Sequence, residues 1–240
     1  MHLDLLPTRS AGAAENMAVD FLLLQRYPRA GVPRFRHYRW HRPAFTFGYS
    51  QKFSFIQSQL PPGERFDTCR RPTGGGLVDH RDDWTYALVI PRGHPLEERP
   101  ATQSYREIHE ALAAALRTQG VPAATKQARD PALGESGPAG VCFQRAEVFD
   151  VVHERSGEKI AGAAQKRNKH GLLFQGSIWK PAAAAGGDAA LDWDKFHDDF
   201  VAQLATALGT DATPAPWPDL DDELAALVEH YSTPEWNAFR

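Results

Sequence analysis

Apolar residues at helical spacing open the chain. In residues 13–26, Met17, Phe21 and Leu24, with Leu22 and Leu23 beside them, form a wide stripe, and Pro28 and Gly31-Val32-Pro33 stop the helix it predicts. The period then shortens. Residues 34–39 alternate and 44–50 are aromatic-rich, which predicts two strands joined through Pro43. A short strand over 66–71 runs into Pro72 and the triplet Gly74-Gly75-Gly76, and 84–90 is a strand ended by Pro91. From 102 to 118, Tyr105, Ile108, Leu112, Ala115 and Leu116 return to helical spacing, with Gly120 placed to cap. Residues 130–140 are a Pro/Gly-rich loop. Strands follow over 146–153, 159–165 and 171–179, with Gly157 turning the chain between the first two. Residues 181–190 are low-complexity and read as a surface loop. Two amphipathic helices, 193–208 and 219–231, complete the pattern.

The order is helix, strands, helix, strands, helices. It lacks regular βα alternation, which argues against a doubly wound sheet. No internal repeat or dividing linker is visible, and 240 residues suit one domain, or one with a small appendage.

Composition narrows the function classes. Hydrophobic residues are 42% and charged residues 24%, an ordinary globular balance. The net charge of −3 supplies no field to hold nucleic acid or an anionic membrane. Two cysteines make no disulfide scaffold, so a reducing, cytoplasmic setting is expected. No signal-peptide pattern opens the chain and no apolar run reaches the ~18 residues of a membrane span. HExxH, CxxC, Gly-x-Ser-x-Gly, P-loop and Gly-x-Gly-x-x-Gly patterns are all missing, so no metal site, serine hydrolase or ordinary nucleotide fold is expected. His37 and His41, four apart on a strand, sit about 13 Å from each other, too far to share a metal.

The most unusual run is Arg70-Arg-Pro-Thr-Gly-Gly-Gly-Leu-Val-Asp-His80. Three glycines cost roughly 0.5–1 kcal/mol each relative to alanine in regular structure. Close approach of backbone to a ligand would offset that cost, as would N–H groups converging on an anion, with Arg70 and Arg71 adding charge at the same spot. A second unusual run is Lys159-Ile-Ala-Gly-Ala-Ala-Gln165, where Ala161, Gly162, Ala163 and Ala164 leave room that most strands fill.

These blocks resemble the lipoate–protein ligase and octanoyltransferase family. Arg71 to His80 followed by Asp83-Trp-Thr-Tyr is similar to its R-R-x-T-G-G-G-x-V-x-H…D-x-T-Y signature. Glu15 to Asp20, Arg39-Trp40 with Pro43 and Gly48 to Gln51, Lys159 to Gln165 with Gln175-Gly-Ser-Ile178, and Tyr231 to Asn237 match further blocks in order. Phe21 stands where many relatives carry an acidic residue, and Gln175 where some carry histidine. The resemblance implies an α/β fold: a single domain over 1–240 with a mixed sheet, related to the class II aminoacyl-tRNA synthetase and biotin ligase core. It also implies no C-terminal accessory domain.

The resemblance further implies a tunnel for a C8 acyl chain, lined by Arg39, Arg71, Thr73, Gly74, Gly75, Gly76, His80, Gly162, Ala164 and Gln175, with Lys159 and Cys142 catalytic. Cys142 follows the Gly/Pro-rich loop and matches the nucleophile of the cysteine-bearing branch, and a nearby Lys159 would favour its thiolate. Cys69 reads as core. The implied reaction moves an octanoyl or lipoyl group through a cysteine thioester to a lysine of a lipoyl domain, without ATP or metal. The donor would be an acyl carrier protein or, for an amidotransferase of the same branch, another lipoyl domain, and the acceptor a lipoyl domain of a 2-oxoacid dehydrogenase or the glycine cleavage H protein. One alternative is an ATP- and Mg-dependent lipoate–protein ligase subunit, and another is a silent acyl-binding homologue. Lipoyl domains are usually acidic, so the basic turn Lys166-Arg167-Asn168-Lys169-His170 is placed to dock one.

Overall fold

In this computed structural model, residues 2–129, 145–185 and 191–240 are described. The strands are β1 (His2–Leu5), β2 (Arg9–Ala11), β3 (Arg34–Trp40), β4 (Ala44–Phe47), β5 (Asp67–Arg70), β6 (Leu77–Asp79), β7 (Asp83–Pro91), β8 (Ala123–Thr125), β9 (Val151–His153), β10 (Lys159–Asn168), β11 (Gly171–Trp179) and β12 (Asp211–Pro214). The helices are α1 (Ala13–Gln25), α2 (Phe53–Gln59), α3 (Pro95–Glu98), α4 (Ala101–Arg117), α5 (Lys180–Ala184), α6 (Trp193–Leu208), α7 (Asp221–Ser232) and α8 (Pro234–Asn237).

One mixed sheet runs β12-β1-β3-β7-β11-β10-β9-β8, with β2 added beside β3, and a small second sheet runs β5-β4-β6. The sheet is mixed, as expected: β1 lies parallel to β3 and β12, while β3, β7, β11 and β10 alternate in direction. Central β7 is buried along its whole length because both faces are covered. On one face Trp84, Tyr86, Leu88 and Ile90 meet Ile108, Leu112 and Leu116 of α4 and Phe196, Phe200 and Leu204 of α6. On the other, Ala87, Val89 and Leu173 meet Val19, Leu22 and Leu23 of α1 and Leu220 ahead of α7.

Local chemistry sets the boundaries. Arg34 is 2% exposed and caps the end of α1, donating to the carbonyls of Leu23, Leu24, Ala30 and Val32. Asp192 accepts from the N–H groups of Asp194 and Lys195 to start α6, and Gly209 ends it in the left-handed region at φ +63. The apolar period places α1, α4, α6 and α7 within a residue or two of expectation. The expected 146–153 strand is shorter: residues 145–150 turn, and only Val151–His153 pairs. The expected 181–190 loop starts with α5. Strands β1, β2, β6, β8 and β12 carry too few residues to show a period. No helix among the described residues is long and apolar enough to cross a membrane.

Two core histidines give the fold an acid limit. His37 stacks flat on Trp84, with centroids 4.3 Å apart, and its Nδ1 meets the Thr85 carbonyl at 2.9 Å. His109 on α4 meets the Phe149 carbonyl at 2.7 Å. Burial pushes both down to about 4. A depressed value means the unfolded chain protonates first. This contribution to stability is therefore complete above about pH 6.5 and is lost as pH falls toward 4, at about 1.4 kcal/mol per pH unit for each histidine. Urea midpoints should fall across that window, and His109→Asn should flatten the fall. A midpoint independent of pH from 6.5 to 4.5 would contradict this account.

Candidate functional site

The site grows from the register of the large sheet. Gly162, Ser177, Thr85 and Tyr38 pair in sequence, so they form one row across β10, β11, β7 and β3. Ala164 and Gln175 begin the next row on the same face. Along this floor the β10 side chains are a hydrogen and a methyl. The small sheet and its loop form the roof, with Thr46, Arg71, Gly75, Val78 and His80, and Met17 of α1 closes one side. Floor and roof define a cavity of about 50 Å3. This is a narrow slot with an apolar lining.

Gly75 stands at φ +87, where a side chain is strained, and a Cβ there would lie 3.0 Å from Arg71. Gly48 is needed for another reason: its Cβ would come 2.0 Å from the Gly75 carbonyl, so the two loops touch backbone to backbone.

The two arginines of the signature part company. Arg71 turns into the site, where one guanidinium nitrogen donates to the carbonyls of Gly74 and Gly76, at 2.9 and 2.7 Å, and the other to Thr46 Oγ1. It thus curls the glycine loop around itself. Arg70 turns away, donating to the carbonyls of Tyr49, Gln51, Trp236 and Asn237. Its role is to hold the roof to the last helix, and it adds no charge to the slot.

Arg71 can only donate, so Thr46 accepts from it and passes its own proton to His80 Nε2 at 2.7 Å. His80 Nδ1 then donates to Asp83 Oδ2 at 2.7 Å, which also accepts from Ser177 and Thr85. A second chain crosses the floor. Thr73 donates to Gln175 Oε1, and Gln175 Nε2 donates to Asp20 Oδ2 at 2.7 Å. Asp20 is wholly buried and also meets Arg36 and Tyr38. Burial raises its carboxyl, and Arg36, Gln175 and Tyr38 oppose that rise.

Lys159 enters at the β10 end of the row. It is 8% exposed, and its Nζ lies 2.7 Å from Asp150 Oδ2. A Cβ on Gly162 would stand 2.8 Å from both Cε and Nζ of Lys159. Glycine at 162 is therefore what lets the lysine lie along the floor.

Of the residues expected from the sequence, Arg71, Gly75, His80, Lys159, Gly162, Ala164 and Gln175 line the slot. Thr73, Gly74 and Gly76 shape it through Gln175 and Arg71. Arg39 does not reach it. It alternates with Tyr38 along β3 and is exposed along an adjoining open groove that shares Tyr38 and His80 with the slot. Cys142 lies outside the described residues. Cys69 is core, 0% exposed, with burial pushing its thiol far up. The basic turn splits as well. Arg167 is spent on the Glu97 carbonyl and Ser104, whereas Lys166 shares the slot face and lies over Phe21 and Tyr49. Among the described residues, no group of three or more His, Cys, Asp or Glu side chains could hold a metal ion.

Sequence reasoning did not single out Asp20, Thr46, Ser177 or Asp150 for the site. Asp20 had a signal, a carboxylate inside the apolar stripe of α1. Thr46 and Ser177 are brought in by pairing between distant strands, and Asp150 by the bent backbone at Phe149.

The family description "Lipoyl protein ligase A/B catalytic domain" matches residues 12–182. Among curated relatives, "Octanoyltransferase LipM" of Symbiobacterium thermophilum is 29% identical, covering 97% of each chain. The proteins of that name from Bacillus cereus and Geobacillus kaustophilus are 31% and 34% identical over 78% and 69% of this chain, which spans 66% and 60% of their length. Among solved structures, a lipoate-protein ligase A bound with ATP superposes with a TM-score of 0.72 at 20% identity, covering 99% of both chains. A bi-partite lipoate protein ligase of Thermoplasma acidophilum, studied with its E2 lipoyl domain, gives 0.69 at 19% identity, covering 99% of this chain and 96% of that one.

Proposed function

This chain belongs to the lipoyl protein ligase A/B catalytic family, and from that premise we propose that it is an acyltransferase that moves an octanoyl group onto a lysine of a lipoyl domain. The observation that carries the reading is the slot itself: narrow, floored by Gly162 and Ala164, roofed by Gly75, with the Lys159 ammonium at one end of its floor. A hydrocarbon tail gains from such a lining about 0.8 kcal/mol per methylene removed from water. A cation placed where the carbonyl sits favours the charge that builds on its oxygen during acyl transfer.

Cys142 is the proposed nucleophile. Its thiolate attacks the carbonyl carbon of the donor thioester, the new S–C bond forms, and the carrier thiolate leaves and takes up the proton that Cys142 released. The acceptor amine then attacks the acyl-cysteine. An amide forms, the bond to Cys142 breaks, and the amine proton returns to sulfur. One acyl bond is exchanged for another at each step, so the cycle needs neither ATP nor a metal. The donor proposed is an octanoyl-carrier protein.

Incubation with octanoyl-carrier protein, without ATP, followed by mass spectrometry of the intact chain and its peptides tests this. The expected result is an octanoyl adduct on the Cys142 peptide that disappears when a lipoyl domain is added. No adduct, with lipoyl-AMP made from lipoate and ATP, would instead establish a ligase.

Lys166 is the side chain of the basic turn that faces the slot, and Tyr49 beside it is 41% exposed. An acidic lipoyl domain would be met there. Lys166→Glu should raise the acceptor KM about three- to tenfold and leave acylation by the donor unchanged, as expected of a rim charge. Acceptor kinetics equal to those of the parent chain would remove Lys166 from the docking surface.

A further inference from the structure

Beneath Lys159 lies a set of buried groups that the transfer chemistry above does not use. Asp150, 1% exposed, accepts from Lys159 Nζ and from the Glu147 N–H through Oδ2, both at 2.7 Å. Its Oδ1 accepts from the Tyr105 hydroxyl at 2.5 Å. Tyr105 reaches from α4, and its oxygen in turn accepts from the Ala163 N–H at 3.0 Å, on the slot strand itself. Burial, and then the Asp150 carboxylate, hold the Tyr105 hydroxyl well above its ordinary value, so it remains a donor.

The backbone is bent to deliver Asp150. Phe149, just before it, sits at φ +69, a conformation that bulky residues rarely adopt and that costs of the order of 1–3 kcal/mol. It is held there by the Lys126 carbonyl on its N–H and by His109 on its carbonyl. Strain retained at this point is what a carboxylate that must stand in one place requires.

We infer that Asp150 and Tyr105 are a positioning pair: they fix the Lys159 ammonium over Gly162, so that it serves acyl transfer as an immobile cation. The geometry argues for this in two ways. The ammonium donates one proton along a 2.7 Å contact into a carboxylate that two further donors hold in place. The Tyr105 bridge also ties that carboxylate to the N–H of Ala163, one residue beyond the glycine over which the lysine lies, so cation and floor move together.

The inference rests on the acyl-transfer reading, but part of its test does not. Asp150→Asn and Tyr105→Phe are compared with the parent chain in single-turnover acylation, donor KM, thermal melting, and labelling of each lysine by an amine-directed reagent at mildly alkaline pH. Asp150→Asn should slow acylation about 100-fold, with donor KM within about twofold, because a reacting group displaced by about 1 Å loses that much. Tyr105→Phe, which keeps the carboxylate, should lose about tenfold by the same reasoning. Labelling of Lys159 alone should rise in both variants. Acylation within twofold of the parent, or a rise in labelling at every lysine together with a lower melting temperature, would overturn the inference in favour of a purely structural pair. A parent chain that forms no acyl-enzyme would defeat the proposed function, while the labelling of Lys159 would still decide whether the pair holds it.

Discussion

Lys159→Ala should lower the rate of acyl-enzyme formation about 10²–10³-fold, about 3–4 kcal/mol of transition-state stabilisation. The magnitude follows from where the ammonium sits. At 8% exposure it is poorly screened by water, and it is already in place along the floor, so no reorganisation is needed as charge develops on the substrate oxygen. Donor KM should change little, because a hydrocarbon tail is held by the slot and not by the cation. The substitution also leaves Asp150 with one partner fewer in a dry site, which costs stability. The comparison therefore belongs below the melting transition of the variant, with Lys159→Ala/Asp150→Ala as the control that removes the stranded charge. Acylation within tenfold of the parent in both variants would take Lys159 out of the chemistry.

Asp20→Ala should be the most damaging single change to the fold, at about 3–5 kcal/mol. The carboxyl is wholly buried and accepts from Arg36 at 2.7 Å through Nε and 2.6 Å through Nη2, from Tyr38 at 3.1 Å and from Gln175 at 2.7 Å. Alanine would strand the Arg36 Nε and the Tyr38 hydroxyl, and Arg36, 1% exposed, would keep its contacts to Asn16 but gain no route to water. The loss would also reach the slot. Gln175 would lose the carboxylate and keep only Thr73 and the weaker Met17 sulfur, and the link from glycine loop to floor would slacken. Urea denaturation measures the first effect, and donor KM in the surviving folded fraction measures the second. A loss below about 1 kcal/mol would mean that the network relaxes around the gap more readily than buried pairs usually do.

These two residues mark the boundary of what the chain discloses before folding. The long periodic segments were legible because each repeats its pattern over several turns or pleats, as in α4, α6 and β7. The Gly74–Gly76 loop and the Lys159–Gln165 strand were legible because their composition is odd for any strand or turn. Lys159 could thus be named from sequence, but Asp150 could not: nothing in Phe149-Asp150 announces that a strained backbone will swing the carboxylate beneath a lysine nine positions on. Arg39 alternates with Tyr38 along β3, so Tyr38 lines the slot while Arg39 lies in the groove that adjoins it. The neighbours Arg70 and Arg71 repeat the lesson, as do Lys166 and Arg167. Each pair divides one structural and one site-facing residue between two sides of the same backbone.

Arg70 has one more consequence. Its guanidinium gathers carbonyls from residues 49 and 51 and from residues 236 and 237, while Asn237 accepts from its N–H and the Trp236 indole donates to its carbonyl. A ribosome builds residues 49–51 and residues 236–237 far apart in time. During synthesis the roof of the slot must wait, unlatched, until residues 236 and 237 have left the exit tunnel, so a nascent chain released before then would present its greasy interior to the chaperones.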